Sequence, residues 1–239
     1  MQALQLFLRI GEKIYPDDAR AGTAKVMNDQ CPELVPSMTN YDESGKTITG
    51  FPSIHFAPCK DGFSVIGYGL AGIEALTKAM PFLVMGWSDR LKRPVQISHR
   101  KVTCSAESIP YQAQYRVGRL VVQKKAGHLK VLENLETGKP HIERLILSSL
   151  QRQAEAMGIT MPSNLAVEFL GCEGEFRAKN GKHPVAHLGI HGAVFSINAR
   201  LQGLWSTGYL MTRGYGLLDA TFQNGTGSHG MEERNAISE

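Results

Sequence analysis

The 239 residues of this chain are 42% hydrophobic and 20% charged, a composition that supports one large or two small folded domains. The sequence contains neither a long apolar run nor the basic start and cleavage site of a secretory leader. We therefore expect no membrane span and a cytoplasmic location. The four cysteines form no Cys-x-x-Cys pair, which argues against a disulfide framework and a zinc site. The net charge of +4 does not by itself indicate nucleic acid.

The first part of the chain predicts the order strand, helix, strand, strand, helix, strand. The predicted strands are Leu4 to Ile10, Phe51 to Phe56, Phe63 to Ile66 and Pro81 to Trp87, and the predicted helices are Asp17 to Asn28 and Ile73 to Met80. Asp17 or Asp18 is expected to cap the first helix. This order is the split βαβ arrangement of a ferredoxin-like domain, which we place at residues 1–104.

Positive charge is concentrated between Ser88 and Lys130, where ten lysines or arginines accompany only two acidic residues. This distribution favours a polyanionic partner, although a solvated charged surface would have the same composition. At spacing i, i+3, Arg116 and Arg119 predict one face of a basic helix, with Tyr111 or Tyr115 available for stacking. The candidate binding residues in this segment are Arg90, Lys92, Arg93, Arg100, Lys101, Arg116, Arg119, Lys124 and Lys125.

A second lobe is expected at residues 105–222. His141 to Met157 places its apolar positions on one helical face, and Leu165 to Leu170 and Ala193 to Ala199 predict strands. The glycine-rich segment GLWSTGYLMTRGYG follows. Its glycines permit positive φ and would let backbone N–H groups face phosphates, although a flexible hairpin would also explain them. Residues 223–239 hold no core pattern and predict a flexible tail.

Gly67, Gly69 and Gly72 spell Gly-x-Gly-x-x-Gly between a predicted strand and a predicted helix, and Asp89 follows about twenty residues later. This is the spacing of a dinucleotide-binding fingerprint. Such a domain needs further strand-helix-strand units, and none is predicted after Asp89. Dinucleotide binding is therefore the weakest alternative.

Two segments resemble the CRISPR repeat-processing endoribonucleases of the RAMP superfamily. FPSIHFAPCKDGFSVIGYGLAGIEAL resembles the family's strand pair and the helix after it, and GLWSTGYLMTRGYGLL is similar to its C-terminal glycine-rich loop. IPYQAQYRVGRLVVQKK and FRAKNGKHPVAHLGIHGAVFSI resemble the stem-loop-specific branch, nearest to the crRNA endoribonuclease of type IV systems. The resemblance implies an α+β protein, with a ferredoxin-like (RRM-like) N-terminal domain and a second, irregular ferredoxin-like lobe that carries a basic helical insertion.

The resemblance also implies an activity. The chain would cleave CRISPR repeat hairpins in precursor RNA by attack of the RNA's own 2′-hydroxyl, with no metal and no other cofactor. It could stay on the mature guide RNA and contact other CRISPR effector subunits. In the glycine-rich loop, the implied RNA-binding residues are Gly203, Gly208, Arg213, Gly214 and Gly216. The alternative is a non-catalytic RAMP subunit that holds the end of the guide RNA.

The sequence offers several candidates for the catalytic residues of this reaction. Cleavage needs a base, an acid and a cation, and relatives place a histidine near the first helix. This sequence has no histidine before His55. The implied candidates are Arg20 and Lys25 in the first helix, Tyr41 in the following turn, His55, and His187 from a cluster with His183 and His191. A structural role remains the alternative for each histidine, and the cluster lacks a fourth ligand for zinc.

Overall fold

A computed structural model describes residues 2–39, 46, 50–123, 135–180 and 183–219, without the side chains of 135–137, 179–180 and 183–186. Among the residues singled out by sequence, Tyr41, Lys124, Lys125 and the predicted tail at 223–239 lie outside this description. The side chain of His183 lies outside it as well.

The first half of the chain forms a four-stranded antiparallel sheet covered on one face by helices. Its strands are β1 (Ala3–Arg9), β2 (Ile54–Cys59), β3 (Gly62–Tyr68) and β4 (Gln96–Val102), in the spatial order β2-β3-β1-β4. The helices are α1 (Pro16–Gln30), the short α2 (Val35–Thr39) and α3 (Gly69–Leu91). Buried residues of the strands and helices, among them Leu6, Leu8, Phe63 and Leu83, share one core. The predicted ferredoxin-like arrangement is confirmed.

The last strand of this unit is not where the sequence places it. Pro81 to Trp87, predicted as a strand, continues α3 despite the proline. Leu76, Leu83 and Trp87 recur at helical spacing and are buried in the core, so packing overrides the strand-like composition. The strand is β4, whose side chains are mostly exposed and polar. It therefore lacks the apolar alternation by which a strand is predicted.

The start of α1 also differs from the prediction. Tyr15 occupies the N-cap without a side-chain hydrogen bond, and Pro16 is the first helical residue. Asp17 and Asp18 lie in the first turn, where carboxylates are stabilised by the positive end of the helix dipole. The prediction that one of them caps the helix is wrong.

The second half of the chain forms a second antiparallel sheet. Its strands are β5 (Ser105–Gln123), β6 (Val167–Gly171), β7 (Gly174–Asn180), β8 (His183–Gln202) and β9 (Leu218–Asp219). The spatial order is β6-β8-β5-β9, and β7 also pairs with β8. Helix α4 (Leu135–Met157) contributes Ile142, Ile146 and Leu150 to a core shared with this sheet. A domain boundary at 104/105 stays a prediction.

Arg116 and Arg119 lie on strand β5, so the basic helix predicted from their spacing is wrong. β5 pairs with β8 along almost its whole length. Val117 and Leu120 are both fully buried although they are three residues apart. The partner strand has a positive φ of 57° at Gly192, between the paired residues of this stretch. Both arginines lie outside the core, Arg116 half-buried and Arg119 exposed.

The three glycines of the apparent fingerprint serve packing. They lie where β3 passes into α3. A Cβ on Gly67 would lie 2.3 Å from the Gly72 carbonyl oxygen, and one on Gly69, at φ +64°, would lie 2.1 Å from that of Ala156 in α4. Both sheets are antiparallel, so the described residues do not form the parallel unit of a dinucleotide-binding domain.

The glycine-rich segment, residues 203–216, lies against α4. The N–H of Ser206 donates to Gln153 Oε1 at 2.8 Å, and the N–H of Gly208 donates to Ser149 Oγ at 3.1 Å. The N–H of Gly216 donates to the Arg119 carbonyl oxygen at 2.8 Å. These three amides are bonded within the protein. Contact between the segment and RNA stays a prediction.

Close approach explains why two of the segment's positions are glycine. Gly214 and Gly216 both have φ of +79°. A Cβ on Gly214 would lie 2.5 Å from the Pro16 ring and 3.0 Å from the Phe56 carbonyl oxygen. A Cβ on Gly216 would lie 1.8 Å from the Thr207 carbonyl oxygen. The segment therefore contacts α1 and β2 at Gly214 and folds onto itself at Gly216.

The substitution Gly216→Ala should destabilise the protein by about 2 kcal/mol or more, because it combines a strained φ with a backbone clash. Gly174→Ala is the control, since open space surrounds that position. Urea unfolding followed by circular dichroism measures both. Equal unfolding midpoints for the two variants would contradict the packing argument.

Candidate functional site

Two arginines from distant parts of the chain meet at the first turn of α1. Asp17 Oδ1 lies 3.7 Å from Arg20 Nε and 3.5 Å from Arg213 Nε. Each arginine side chain is 14% exposed, whereas that of Asp17 is 46% exposed. Arg213 ends a short 3-10 turn, Met211–Arg213, that contacts both α1 and β2. Docking of the glycine-rich segment thus brings Arg213 to Arg20.

This cluster has the electrostatics of an anion site. Two guanidinium groups lie against one carboxylate, in a partly buried place where screening by water is weak. Arg213 Nη1 is buried and makes no hydrogen bond to any described residue. Guanidinium donors match the oxygens of a phosphate. The cluster is therefore suited to bind a phosphate group.

The other predicted catalytic residues are spread over the fold. Lys25 is exposed on α1 and lines a groove between α1 and α3 with Asp29 and Arg90. His187 is 6% exposed in the second sheet, opposite Ala178 of β7.

His55 belongs to a buried polar cluster between the two halves of the chain. Its side chain is 2% exposed, and its Nδ1 lies 3.4 Å from Ser206 Oγ, which in turn lies 3.4 Å from Tyr68 Oη. The imidazole ring lies 4.8 Å from the Tyr68 ring and 5.0 Å from the Phe51 ring. Burial lowers the pKa of His55 to about 3, against a weaker opposing effect of a hydrogen bond with the Pro52 backbone. A neutral imidazole thus links β2 to the glycine-rich segment.

Several basic residues lie near the first sheet, and some of them contact its side chains or backbone. Arg100 Nε donates to Gln5 Oε1 at 2.9 Å, and its guanidinium lies 5.6 Å from the Phe7 ring. Arg93 donates to the Ile10 carbonyl oxygen. Lys92 ends α3 in the left-handed conformation, Arg90 lies 5.7 Å from the Trp87 ring, and Lys101 is exposed on β4. These contacts place cations at both ends of β1.

A second group of polar and aromatic side chains lies outside the core of the second sheet. Arg116 forms an ion pair with Glu173. Arg119 lies over two rings, 4.4 Å from the centre of Phe176 and 5.1 Å from that of Tyr215. Sequence analysis missed both rings, although the Gly-Tyr-Gly pattern around Tyr215 was a usable signal.

The tyrosines that the sequence offered for stacking are engaged elsewhere. Tyr115 is buried, and its hydroxyl accepts a hydrogen bond from the Leu201 N–H at 2.7 Å. Tyr111 is 54% exposed and accepts a hydrogen bond from Arg200 at 2.9 Å.

The described ranges hold neither a cluster of metal-binding side chains nor a membrane-spanning helix. There, no group of three or more His, Cys, Asp or Glu side chains is placed to hold a metal ion. Likewise, no helix in that part of the chain is long and apolar enough to cross a membrane.

The described residues thus form an α+β protein of two antiparallel sheets, with the glycine-rich segment docked between the first sheet and α4. The model of one family, the type IV CRISPR-associated endonuclease Csf5, matches residues 1–221. The chain belongs to this family, which confirms the resemblance noted in its sequence. No curated protein matches the sequence.

Solved structures of CRISPR endonucleases share the fold. The type IV Cas6 crRNA endonuclease Csf5 superposes with a TM-score of 0.66 at 18% identity, covering 91% of this chain and 97% of that one. A Cas6b crystal structure gives 0.63 at 14% identity, covering 91% and 97%. Another, of the CRISPR RNA processing endoribonuclease Cas6b, gives 0.57 at 14% identity, covering 91% and 98%. At these identities the likeness establishes the fold alone.

The buried His55 predicts a pH dependence of stability. Its pKa falls from 6.5 to about 3 on folding, so the unfolded chain binds the extra proton between these values. The free energy of unfolding therefore has its full value above pH 6.5. It falls by about 1.4 kcal/mol per pH unit as the pH drops from 6.5 towards 3. The substitution His55→Phe should flatten this part of the profile of unfolding free energy, whereas His99→Phe, at an exposed position of β4, should not. Parallel profiles for wild type and His55→Phe would contradict the assignment.

Proposed function

We propose that this chain is a metal-independent endoribonuclease that cleaves CRISPR repeat hairpins in precursor RNA. The observation that carries the proposal is the meeting of Arg20 and Arg213 on Asp17 at the start of α1. Family membership supports an endonuclease, and the names of the structural neighbours support crRNA as its substrate. The partly buried pair of arginines supplies the place at which a scissile phosphate would bind.

The proposed reaction uses the RNA as its own nucleophile. The 2′-hydroxyl before the scissile phosphate attacks phosphorus, the 5′ oxygen leaves, and the products are a 2′,3′-cyclic phosphate and a 5′-hydroxyl. Negative charge grows on the non-bridging oxygens, and two guanidinium groups can donate hydrogen bonds to them. Asp17 holds both arginines before RNA binds, so little reorganisation is needed during the reaction.

Only side chains that can reach the RNA are proposed to transfer protons. His55 and His187 are 2% and 6% exposed, so each would have to leave the protein interior to reach RNA. We therefore propose that neither contacts the reacting atoms, and that His55 positions the glycine-rich segment that carries Arg213. Tyr41 and Lys25 remain the proposed candidates for transferring the 2′ proton.

RNA binding is assigned to the basic residues outside this cluster. Arg100 and Lys101 on β4, and Arg116 on β5, can contact the phosphates of a hairpin, which proteins recognise mainly by its shape. Arg119 on β5 can contact the RNA beside them. Arg213 also supplies a side-chain donor in the glycine-rich segment, where several backbone amides are already bonded. We further propose that the protein works in the cytoplasm with other CRISPR effector subunits and can remain on the mature guide RNA.

A repeat RNA with a single 2′-deoxy nucleotide before the scissile bond should bind normally and resist cleavage, because the nucleophile is missing. Cleavage of the unmodified RNA should continue in excess chelator. Gel analysis of end-labelled RNA measures both results. Cutting of the 2′-deoxy substrate, or a requirement for magnesium, would contradict the mechanism. Binding without any cleavage would favour the non-catalytic RAMP subunit instead.

The substitutions Arg20→Gln and Arg213→Gln should each slow single-turnover cleavage by about 10²-fold to 10³-fold, because each removes a donor to the transition-state phosphate. Arg144→Gln and Arg152→Gln on α4 are matched controls at exposed positions and should leave the rate unchanged. Melting temperatures establish that all four variants fold. Wild-type rates for both Arg20→Gln and Arg213→Gln would remove the basis of the proposed site.

A further inference from the structure

An arginine supported by two aromatic rings lies outside the core of the second sheet. The rings of Phe176 and Tyr215 are nearly parallel, at 13° and 5.8 Å between centres, and the Arg119 guanidinium lies within 5.1 Å of both centres. The His191 ring lies 4.6 Å from Phe176. Arg119 is exposed, whereas the three rings are half-buried. The guanidinium therefore lies between a ring surface and solvent.

Glycines fix the position of both rings. A Cβ on Gly189 would lie 2.2 Å from Phe176 Cζ, so this ring rests directly on the backbone of β8. Tyr215 stands between two glycines at φ +79°, and the N–H of Gly216 donates to the carbonyl oxygen of Arg119 itself at 2.8 Å. The arginine and its supporting tyrosine are thus joined through backbone as well as side chains. Such a group is ordered before any ligand binds, which lowers the entropy cost of binding.

The charge of Arg119 is also available. Within the described part of the chain, no carboxylate lies within ion-pair distance of Arg119, whereas its neighbour Arg116 is paired with Glu173. A cation over aromatic rings is favourable in itself and keeps its donors free at its edge. The site therefore offers a flat, positively charged surface with hydrogen-bond donors around it.

We propose that Arg119, Phe176 and Tyr215 form a stacking site for one unpaired nucleobase of the bound RNA. This inference rests on the proposed function, because it names the part of the RNA that β5 contacts. Unpaired bases stack on aromatic rings and on guanidinium planes, and each base has a face to offer. Bases within a stem are stacked on one another and have no free face. The site thus reads single-stranded RNA beside the hairpin.

Stacking and simple phosphate binding differ in what they require of Arg119. A phosphate contact requires positive charge, which lysine retains, and its loss reduces the salt dependence of binding. Stacking requires the planar guanidinium, which lysine lacks. The substitution Arg119→Lys therefore separates the two roles. Arg144→Lys, at an exposed position of α4 outside the proposed RNA-binding residues, is the matched control.

The test is an abasic scan of the unpaired nucleotides on both sides of the stem in the cognate repeat RNA. One abasic position should weaken binding to the wild-type protein by about fivefold to 150-fold. Arg119→Lys and Tyr215→Leu should weaken binding of the intact RNA by a similar factor and lose sensitivity to that position. Tyr215→Phe, which keeps the ring, should behave like wild type, and so should Arg144→Lys.

The possible outcomes are distinct. The stacking site is overturned if no abasic position weakens binding to the wild-type protein. It is also overturned if each abasic position weakens binding to Arg119→Lys as much as it weakens binding to the wild type. The same holds if Arg119→Lys binds as wild type while Arg119→Gln only flattens the salt dependence, since that result indicates a phosphate contact. In each of these cases the wild-type protein still binds and cuts the hairpin. Absence of hairpin binding by the wild type would overturn the proposed function itself.

Discussion

The docking of the glycine-rich segment between α4 and the first sheet is the constraint on which the rest of the structure depends. Ser149 and Gln153 of α4 hold its backbone from one side. Gly214 meets α1 and β2 on the other side, at distances that admit no side chain. The buried contact of Ser206 with His55 adds a polar link to β2, and burial keeps the imidazole neutral. The segment thus joins two halves whose sheets do not pair with each other.

The same docking creates both places where RNA is proposed to bind. Arg213 and Tyr215 stand two residues apart on either side of Gly214. Arg213 reaches Asp17 and Arg20 in the first half, whereas Tyr215 reaches Arg119 in the second. The positive φ angles at Gly214 and Gly216 set the directions of these two side chains. The geometry of both places therefore depends on the backbone conformation of the segment. A change that loosens the segment should therefore disturb both places at once.

The sequence predicted much of the fold and less of the site. β1, α1, β2 and β3 follow from local alternation and helical composition, which nearby residues determine. Pro81 to Trp87 was misread because burial between α1 and the sheet overrides local preference. The arginines of β5 were misread because spacing i, i+3 also fits this strand, in which Val117 and Leu120 are both buried. The meeting of Arg20 with Arg213 depends on long-range packing, and no spacing along the chain encodes it.

The central claim is that Arg20 and Arg213 act together on one phosphate. A double-mutant cycle on single-turnover cleavage, with Arg20→Gln, Arg213→Gln and the combined variant, tests it most directly. If both donors serve the same transition state, the combined loss of rate should fall well short of the product of the single losses. Melting temperatures and RNA affinities measured for the same proteins separate catalysis from folding and binding. Losses that multiply fully would mean that the two arginines act independently, and would contradict the account.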